Sequence, residues 1–211
     1  MLVSGEKKQR VIFRAGIFLV AFSLLLFFLI FYPVIKTEIG FLFSAKKPDV
    51  KIGLVGAGNE VSGDVIIPAS SDFSLIIPKL EINSKVVANV DPFSAKDYRE
   101  ALKEGIAHAK GTRLPGEDGN IFMFAHSSGN FYDTNRTNTL FFLLNKLEKD
   151  DKLSVVYKNK IFRYQVAEKK IVAGDAVEYL KDERDEESLT LMTCWPPGTD
   201  YERLIVVAEK V

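Results

Sequence analysis

The fold is decided by residues 189–209, whose sequence is LTLMTCWPPGTDYERLIVVAE. Two runs of apolar and β-branched residues, 189–194 and 204–209, flank a segment that contains prolines and a glycine. Such runs, bounded by turn-forming residues, predict two consecutive β-strands. Cys194 therefore ends one strand, and Arg203 begins the next.

The rest of the chain from residue 73 onward has the same character. Further strands are predicted at 75–82, where Pro78 interrupts the run, and at 86–90, 106–109, 121–126, 153–157 and 161–166. Short helices are predicted at 94–103, behind a capping box that Ser94 begins, and at 140–147. Short strands in this number, with few helices, predict a mostly-β domain that is either a barrel or a sandwich.

Three connections are predicted to be irregular. Residues 127–139 form a long polar loop, and residues 174–188 form a loop with an acidic cluster at 182–187. That cluster is interpreted as solvated surface. Asp91-Pro92-Phe93 is interpreted as a turn that leads into the first short helix.

The N-terminal region contains a long apolar run. No charged residue occurs between Ala15 and Tyr32, and the run extends to Ile35. Because about 20 helical residues cross the hydrocarbon core, residues 15–35 are predicted to be a transmembrane anchor. A cleaved signal peptide would have a shorter apolar run ending at a small-x-small site, and a buried helix would need apolar neighbours on every side.

Basic residues decide the predicted orientation of this anchor. Four of them stand before the apolar run: Lys7, Lys8, Arg10 and Arg14. By the positive-inside rule, residues 1–14 are a cytoplasmic basic tail. Residues 36–72, rich in small residues, are then an extracytoplasmic linker, and residues 73–211 are the extracytoplasmic folded domain.

Charge and cysteine content exclude several classes of function. The 28 basic and 28 acidic residues balance, and no basic stripe indicates nucleic acid as a partner. A single cysteine excludes an intramolecular disulfide and a zinc site built from several cysteines. Residues 53–58 lack the lysine and spacing of a phosphate loop, and no dense carboxylate loop has calcium-ligand spacing. The acidic cluster at 182–187 is only a weak candidate for a metal site, so no cofactor or metal is predicted.

Three residues at predicted strand ends could carry acyl-transfer chemistry: His126, Cys194 and Arg203. A thiolate attacks a carbonyl, and an imidazole protonates the leaving amine and later deprotonates the incoming nucleophile. A guanidinium stabilises the negative charge of the tetrahedral intermediate or holds the substrate backbone. A cysteine taken alone is more often a small buried apolar residue.

Motifs around these residues resemble those of the sortase family. Residues 190–196, TLMTCWP, followed by Arg203, resemble the family's TLxTC…R signature. Residues 75–82 look like its first core strand, and residues 105–120 look like its third strand and the loop that follows. Phe124-Ala125-His126 stands where the family has its catalytic histidine. The resemblance runs from about residue 73 to the C-terminus.

The resemblance implies an eight-stranded closed β-barrel that carries a cysteine transpeptidase in the bacterial cell membrane. Cys194 would be the nucleophile, His126 its acid–base partner and Arg203 the electrostatic clamp. The substrate would be the C-terminal sorting signal of a secreted protein, typically an LPXTG-like pentapeptide. A thioester on Cys194 would pass to an amine from a peptidoglycan precursor or from a pilin lysine.

Neighbours of the three residues are candidate substrate contacts. Thr193, Ala125 and Trp195 are predicted to touch the bound peptide. Thr193 has the alternative role of an ordinary strand residue, and Trp195 that of packing on the barrel rim. His108, the other histidine, is the alternative acid–base residue.

Some positions depart from the family pattern. Many relatives have Gly before the catalytic histidine and Arg after it, where this chain has Ala125 and Ser127. Asp150-Asp151 replaces a Gly-Asp pair. Asp91-Pro92-Phe93 resembles the lid motif of pilin-polymerising sortases, but it follows the second predicted strand instead of preceding the first. Two alternative functions stay open: a cysteine endopeptidase that resolves the thioester with water, and a catalytically silent membrane-tethered binding module.

Overall fold

A computed structural model describes residues 3–43, 51–53, 65–127, 139–175, 178–181 and 185–211. The chain divides into two compact units, Met1–Ala45 and Lys46–Val211.

The first unit is a single long helix, α1 (Val3–Phe43). Its segment Gln9–Tyr32 has 24 residues and a mean hydropathy of 2.6, so it is long and apolar enough to cross a membrane. This confirms the predicted N-terminal apolar helix. The helix continues beyond Ile35 through residues that the sequence had suggested as the start of the linker.

The second unit begins with a small parallel pair, β1 (Lys51–Ile52) and β2 (Val65–Ile66). The segment after β2 is hydrogen-bonded to the barrel, because the Asn83 side-chain amide donates to Ile67 O at 2.7 Å. Its carbonyl Oδ1 accepts from Ala69 N at 2.8 Å. Part of the region predicted as linker is therefore attached to the folded domain.

Eight strands form a closed barrel in the order β10-β8-β7-β3-β4-β5-β6-β9. They are β3 (Phe73–Ile77), β4 (Ile82–Val90), β5 (Ile106–Ala109), β6 (Asn120–Phe124), β7 (Lys152–Tyr157), β8 (Lys160–Ala173), β9 (Ser188–Trp195) and β10 (Glu202–Lys210). The barrel settles the choice between barrel and sandwich that the strand pattern left open. Two pairs, β4–β5 and β6–β9, are parallel, and the other neighbours are antiparallel.

The predicted strand 75–82 is not one strand. A 3₁₀ turn, Pro78–Leu80, ends β3, and Glu81 has a left-handed φ of 55°. Proline lacks the N–H that a ladder needs and its fixed φ suits the first position of a helical turn, so the chain reverses here. The result is an antiparallel β3–β4 pair in which Ile77 lies opposite Ile82.

The two predicted short helices form to different extents. Helix α2 (Ala95–Glu104) is capped by Ser94, whose side chain accepts from Asp97 N, and Asp91 Oδ1 accepts from Phe93 N at 2.9 Å in the turn before it. The interpretation of Asp91-Pro92-Phe93 as a turn and helix start is confirmed. Within 140–147 the helical part is one 3₁₀ turn, Leu144–Lys146.

Side chains along β9 alternate between the two faces of the sheet, as strand geometry requires. Leu189, Leu191 and Thr193 lie on one face and are buried. Cys194 lies on the other, with Met192. The strand register places Glu168 and Lys170 of β8 on the same face as Cys194. Met192, Cys194 and Arg203 are partly exposed, whereas Leu191, Thr193 and Leu204 on the opposite face are at most 2% exposed, so the face of Cys194 is the outer face of the barrel.

Candidate active site

Strand register brings the three candidate residues into one row. Arg203 of β10 lies directly opposite Cys194 of β9. On the other side, the parallel β6–β9 pairing runs from Asn120 opposite Ser188 to Phe124 opposite Met192. Past the end of β6, Ala125 N still donates to Met192 O at 3.3 Å, and one more residue of the same register would bring His126 beside Cys194.

The row lies on one face of the sheet. Residues opposite each other on neighbouring strands point to the same face, so Arg203 shares the outer face with Cys194. Both are partly exposed, and so is His126. Cys194 is a free cysteine. A thiol, an imidazole and a guanidinium are therefore presented together at a solvent-accessible surface.

Burial shifts the pKa of His126, and hydrogen bonds orient the guanidinium of Arg203. Burial lowers the pKa of His126 below its usual value, which favours the neutral imidazole at pH 7. The backbone after β6 is held by Phe141 N, which donates to His126 O at 3.1 Å. Nη1 of Arg203 donates to Asp200 O at 2.9 Å and to Glu202 O at 3.0 Å, so the guanidinium is oriented by the loop before β10 and by the first residue of that strand.

Two of the predicted substrate contacts face away from this row. Thr193 is 2% exposed, and its hydroxyl donates to Ala125 O at 2.8 Å. This bond links the residue before Cys194 with the residue before His126. Ala125 is also buried, and its N–H donates to Met192 O at 3.3 Å. Trp195 is partly exposed at the end of β9, opposite Glu202.

His108 is engaged inside the domain. It is fully buried, its Nδ1 accepts from Asn89 N at 3.2 Å, and its Nε2 lies 2.9 Å from Arg113 O. Because Nδ1 accepts, Nε2 carries the proton and donates to that carbonyl. Burial lowers the pKa of His108, so the ring is neutral and structural. These contacts favour His126 over His108 as the acid–base residue.

One residue of the acidic cluster, Glu187, is buried, so the prediction that the whole cluster is solvated surface is wrong for this residue. Glu187 was predicted to belong to a solvated surface, but it is 6% exposed. Its carboxylate accepts from Tyr164 Oη at 2.5 Å and from Gly116 N at 3.1 Å, and it pairs with Lys210. These partners compensate the cost of burying the charge. Burial and the neighbouring carboxylate raise the pKa of Tyr164 well above its usual range.

A second buried polar network was not foreseen from the sequence. Asn120 is 4% exposed; its Nδ2 donates to Tyr179 O at 2.9 Å, and its Oδ1 accepts from the Thr190 hydroxyl at 2.8 Å. An asparagine directly before an apolar strand was the available signal. Within the described ranges, no group of three or more His, Cys, Asp or Glu side chains is placed to hold a metal ion.

Comparison with known proteins matches residues 75–211 to the sortase domain. The chain therefore belongs to the sortase family, whose members are cysteine transpeptidases. It is 26% identical over 174 residues to sortase D of Bacillus subtilis, and the match spans 80% of this chain and 79% of that protein.

Solved structures give the same family. Sortase C-1 of Actinomyces oris is 26% identical, with a TM-score of 0.56, over 66% of this chain and 73% of that one. Sortase C of Clostridium perfringens, solved with the C-terminal cell wall sorting motif, is 28% identical, with a TM-score of 0.54, over 65% of this chain and 69% of that one.

Proposed function

We propose that this protein is a membrane-anchored transpeptidase that cleaves a C-terminal sorting signal and transfers the acyl group to an amine. The observation that carries the proposal is that Arg203 pairs with Cys194 on neighbouring strands, with His126 just past the end of the strand on the other side of Cys194. A nucleophile between a proton carrier and a fixed cation is what acyl transfer through a thioester needs.

The first half-reaction forms the acyl-enzyme. The Cys194 thiolate attacks the scissile carbonyl carbon, and a C–S bond forms while the carbonyl oxygen becomes an oxyanion. Arg203 stabilises that oxyanion or the peptide carbonyls beside it. His126, as imidazolium, gives its proton to the leaving amine as the C–N bond breaks. The thioester and a neutral imidazole remain.

The second half-reaction resolves the thioester. His126 takes a proton from the incoming amine, whose nitrogen attacks the thioester carbonyl. The new C–N bond forms, the C–S bond breaks, and the thiolate returns beside the imidazolium. Because burial favours the neutral imidazole, only a fraction of molecules hold the thiolate–imidazolium pair at pH 7.

The proposed substrate is an LPXTG-like peptide, and the proposed acceptor is an amine of a cell-wall precursor or a pilin lysine. The motif resemblance supports both, and the Clostridium relative was solved with a cell wall sorting motif. The proposed location is the cell membrane, with lipid around residues 15–35. The basic residues before the apolar run support a cytoplasmic N-terminus and an extracytoplasmic barrel.

The test uses the full-length protein in detergent micelles with a panel of LPXTG-like peptides and intact-mass spectrometry. The expected result is an acyl adduct on Cys194 that passes to added oligoglycine or a lysine amine. Cys194→Ala should form no adduct. Arg203→Ala should form it more slowly, while alkylation of Cys194 by iodoacetamide stays within about twofold of wild type.

The other outcomes separate the alternatives. An adduct that is lost only to water, whatever amine is added, would support the cysteine endopeptidase. A folded protein whose Cys194 is alkylated but never acylated would support the catalytically silent binding module.

A further inference from the structure

Burial changes abruptly along the face that carries Cys194. Thr190 and Val207, opposite each other on β9 and β10, are 0% and 1% exposed, although they lie on the outer face of the barrel. Cys194 and Met192, on the same face, are partly exposed. The distance from Thr190 to Cys194 is about 13 Å, at roughly 3.3 Å per strand residue. One half of this face is therefore covered, and the other half is open at its Cys194 end, since Ile205, opposite Met192, is buried as well.

A short 3₁₀ turn, Glu178–Lys181, lies at the covered half. It belongs to the connection between β8 and β9. Asn120 holds it, because its side-chain amide donates to Tyr179 O at 2.9 Å. Asn120 is held in turn by the Thr190 hydroxyl at 2.8 Å. Both side chains are buried, so neither hydrogen bond is readily exchanged for one to water.

A second contact reaches the same turn from β8. Nζ of Lys170 lies 5.7 Å from the centroid of the Tyr179 ring, at cation–π distance. Glu168 pairs with that ammonium at 2.9 Å. The turn is thus attached to β6 by its backbone and to β8 by a side chain, across the two strands that carry Cys194 and Arg203.

We propose that Asn120 is a positioning residue: it fixes the 178–181 turn as one wall of the surface beside Cys194 on which the peptide would lie, called here the peptide groove. This inference rests on the proposed function, because the wall has a role only if an extended peptide binds along the open half of the face. Asn120 does not touch the reacting atoms. It acts through the turn, so it should govern peptide affinity and leave the reactivity of Cys194 unchanged.

The decisive variant is Asn120→Asp in the full-length protein. Asp keeps the shape and still accepts from Thr190, but it presents an acceptor to Tyr179 O. Asn83→Asp is the matched control, since Asn83 also donates to a backbone carbonyl, Ile67 O, in a segment outside the groove. A lost buried hydrogen bond is worth about tenfold in an equilibrium constant. We expect KM for the peptide to rise about tenfold in Asn120→Asp with kcat within about twofold, and neither to change in Asn83→Asp.

Two further measurements test whether Asn120 holds the 178–181 turn, independently of the proposed function. Amide hydrogen exchange across 178–181 should quicken about tenfold in Asn120→Asp alone, and iodoacetamide alkylation of Cys194 should stay within about twofold. If exchange quickens but no peptide acylates even the wild-type protein, the proposed function fails, while the finding that Asn120 holds the 178–181 turn stands. Unchanged exchange, an unchanged KM, or an equal loss in kcat and alkylation would overturn the positioning role.

Discussion

Substitution of Thr193 by Val removes one hydroxyl from the link between the strands of Cys194 and His126. The hydroxyl donates to Ala125 O at 2.8 Å, and the residue is 2% exposed. Val has nearly the same shape, so packing is kept while the buried carbonyl loses this donor. An unsatisfied buried acceptor costs about 1–3 kcal/mol of stability.

The same change should slow acylation. Thr193 precedes Cys194 and Ala125 precedes His126, so the bond lies one residue from both reacting groups. If about 1–2 kcal/mol of that positioning is lost in the transition state, kcat falls roughly 5–30-fold. Thr193→Ser is the matched control, because it keeps the donor and loses only a methyl group, worth about 1 kcal/mol of burial.

The assay combines thermal unfolding with single-turnover acylation of the full-length protein. Both variants should lose stability to a similar extent, and only Thr193→Val should lose the larger share of its rate. Equal rate losses in the two variants would refute the reasoning, because the hydroxyl would then have no role beyond packing. Rates that match wild type in both would refute it as well.

Three further predictions follow from single features. In Arg203→Ala the single-turnover rate of acylation should fall about 100-fold. Arg203→Lys keeps the charge but loses the planar guanidinium, so its rate should fall less. Equal losses in the two variants would contradict a role for the charge. Burial lowers the pKa of His108 in the folded protein, so the stability that the neutral ring contributes is fully present above its ordinary pKa of about 6.5 and is lost as the pH falls through the lowered pKa. Between pH 7.5 and pH 5, His108→Gln should therefore lose less stability than wild type, as measured by unfolding. An equal loss in the two proteins would contradict this. Gly105→Ala would place a Cβ 2.3 Å from the backbone oxygen of Lys85, so about 1–3 kcal/mol of stability should be lost, and an unchanged melting temperature would contradict this packing.

Much of the barrel could be predicted from sequence, because its strands are short apolar runs bounded by Gly, Pro and polar turns. The runs at 106–109 and 189–194 fall within observed strands. Boundaries were less accurate where tertiary pairing extends a strand. β8 runs to Ala173, past the predicted end at 166, because β10 pairs with it from Tyr164 to Ala173.

The candidate site was predicted from residue types and motif spacing, and the roles of His126, Cys194 and Arg203 stay predictions. Thr193 illustrates the limit. Its position beside Cys194 suggested a peptide contact, yet strand alternation turns its hydroxyl to the opposite face, where it binds Ala125 O. The burial of Glu187 was likewise not predictable, since its partners Tyr164 and Lys210 are distant in sequence and only the folded structure brings them to its carboxylate.

Local patterns along the chain were enough for the apolar helix, the strand runs and the order of chemically active residues, because each depends on neighbours within a few positions. The tertiary structure alone decided which strands are neighbours, and thereby that Ala125 and Thr193, the residues before His126 and Cys194, are hydrogen-bonded although they are 68 positions apart. It also decided that Asn120 reaches Tyr179, 59 residues away. Such long-range contacts depend on how the barrel closes, and closure is a property of all eight strands together.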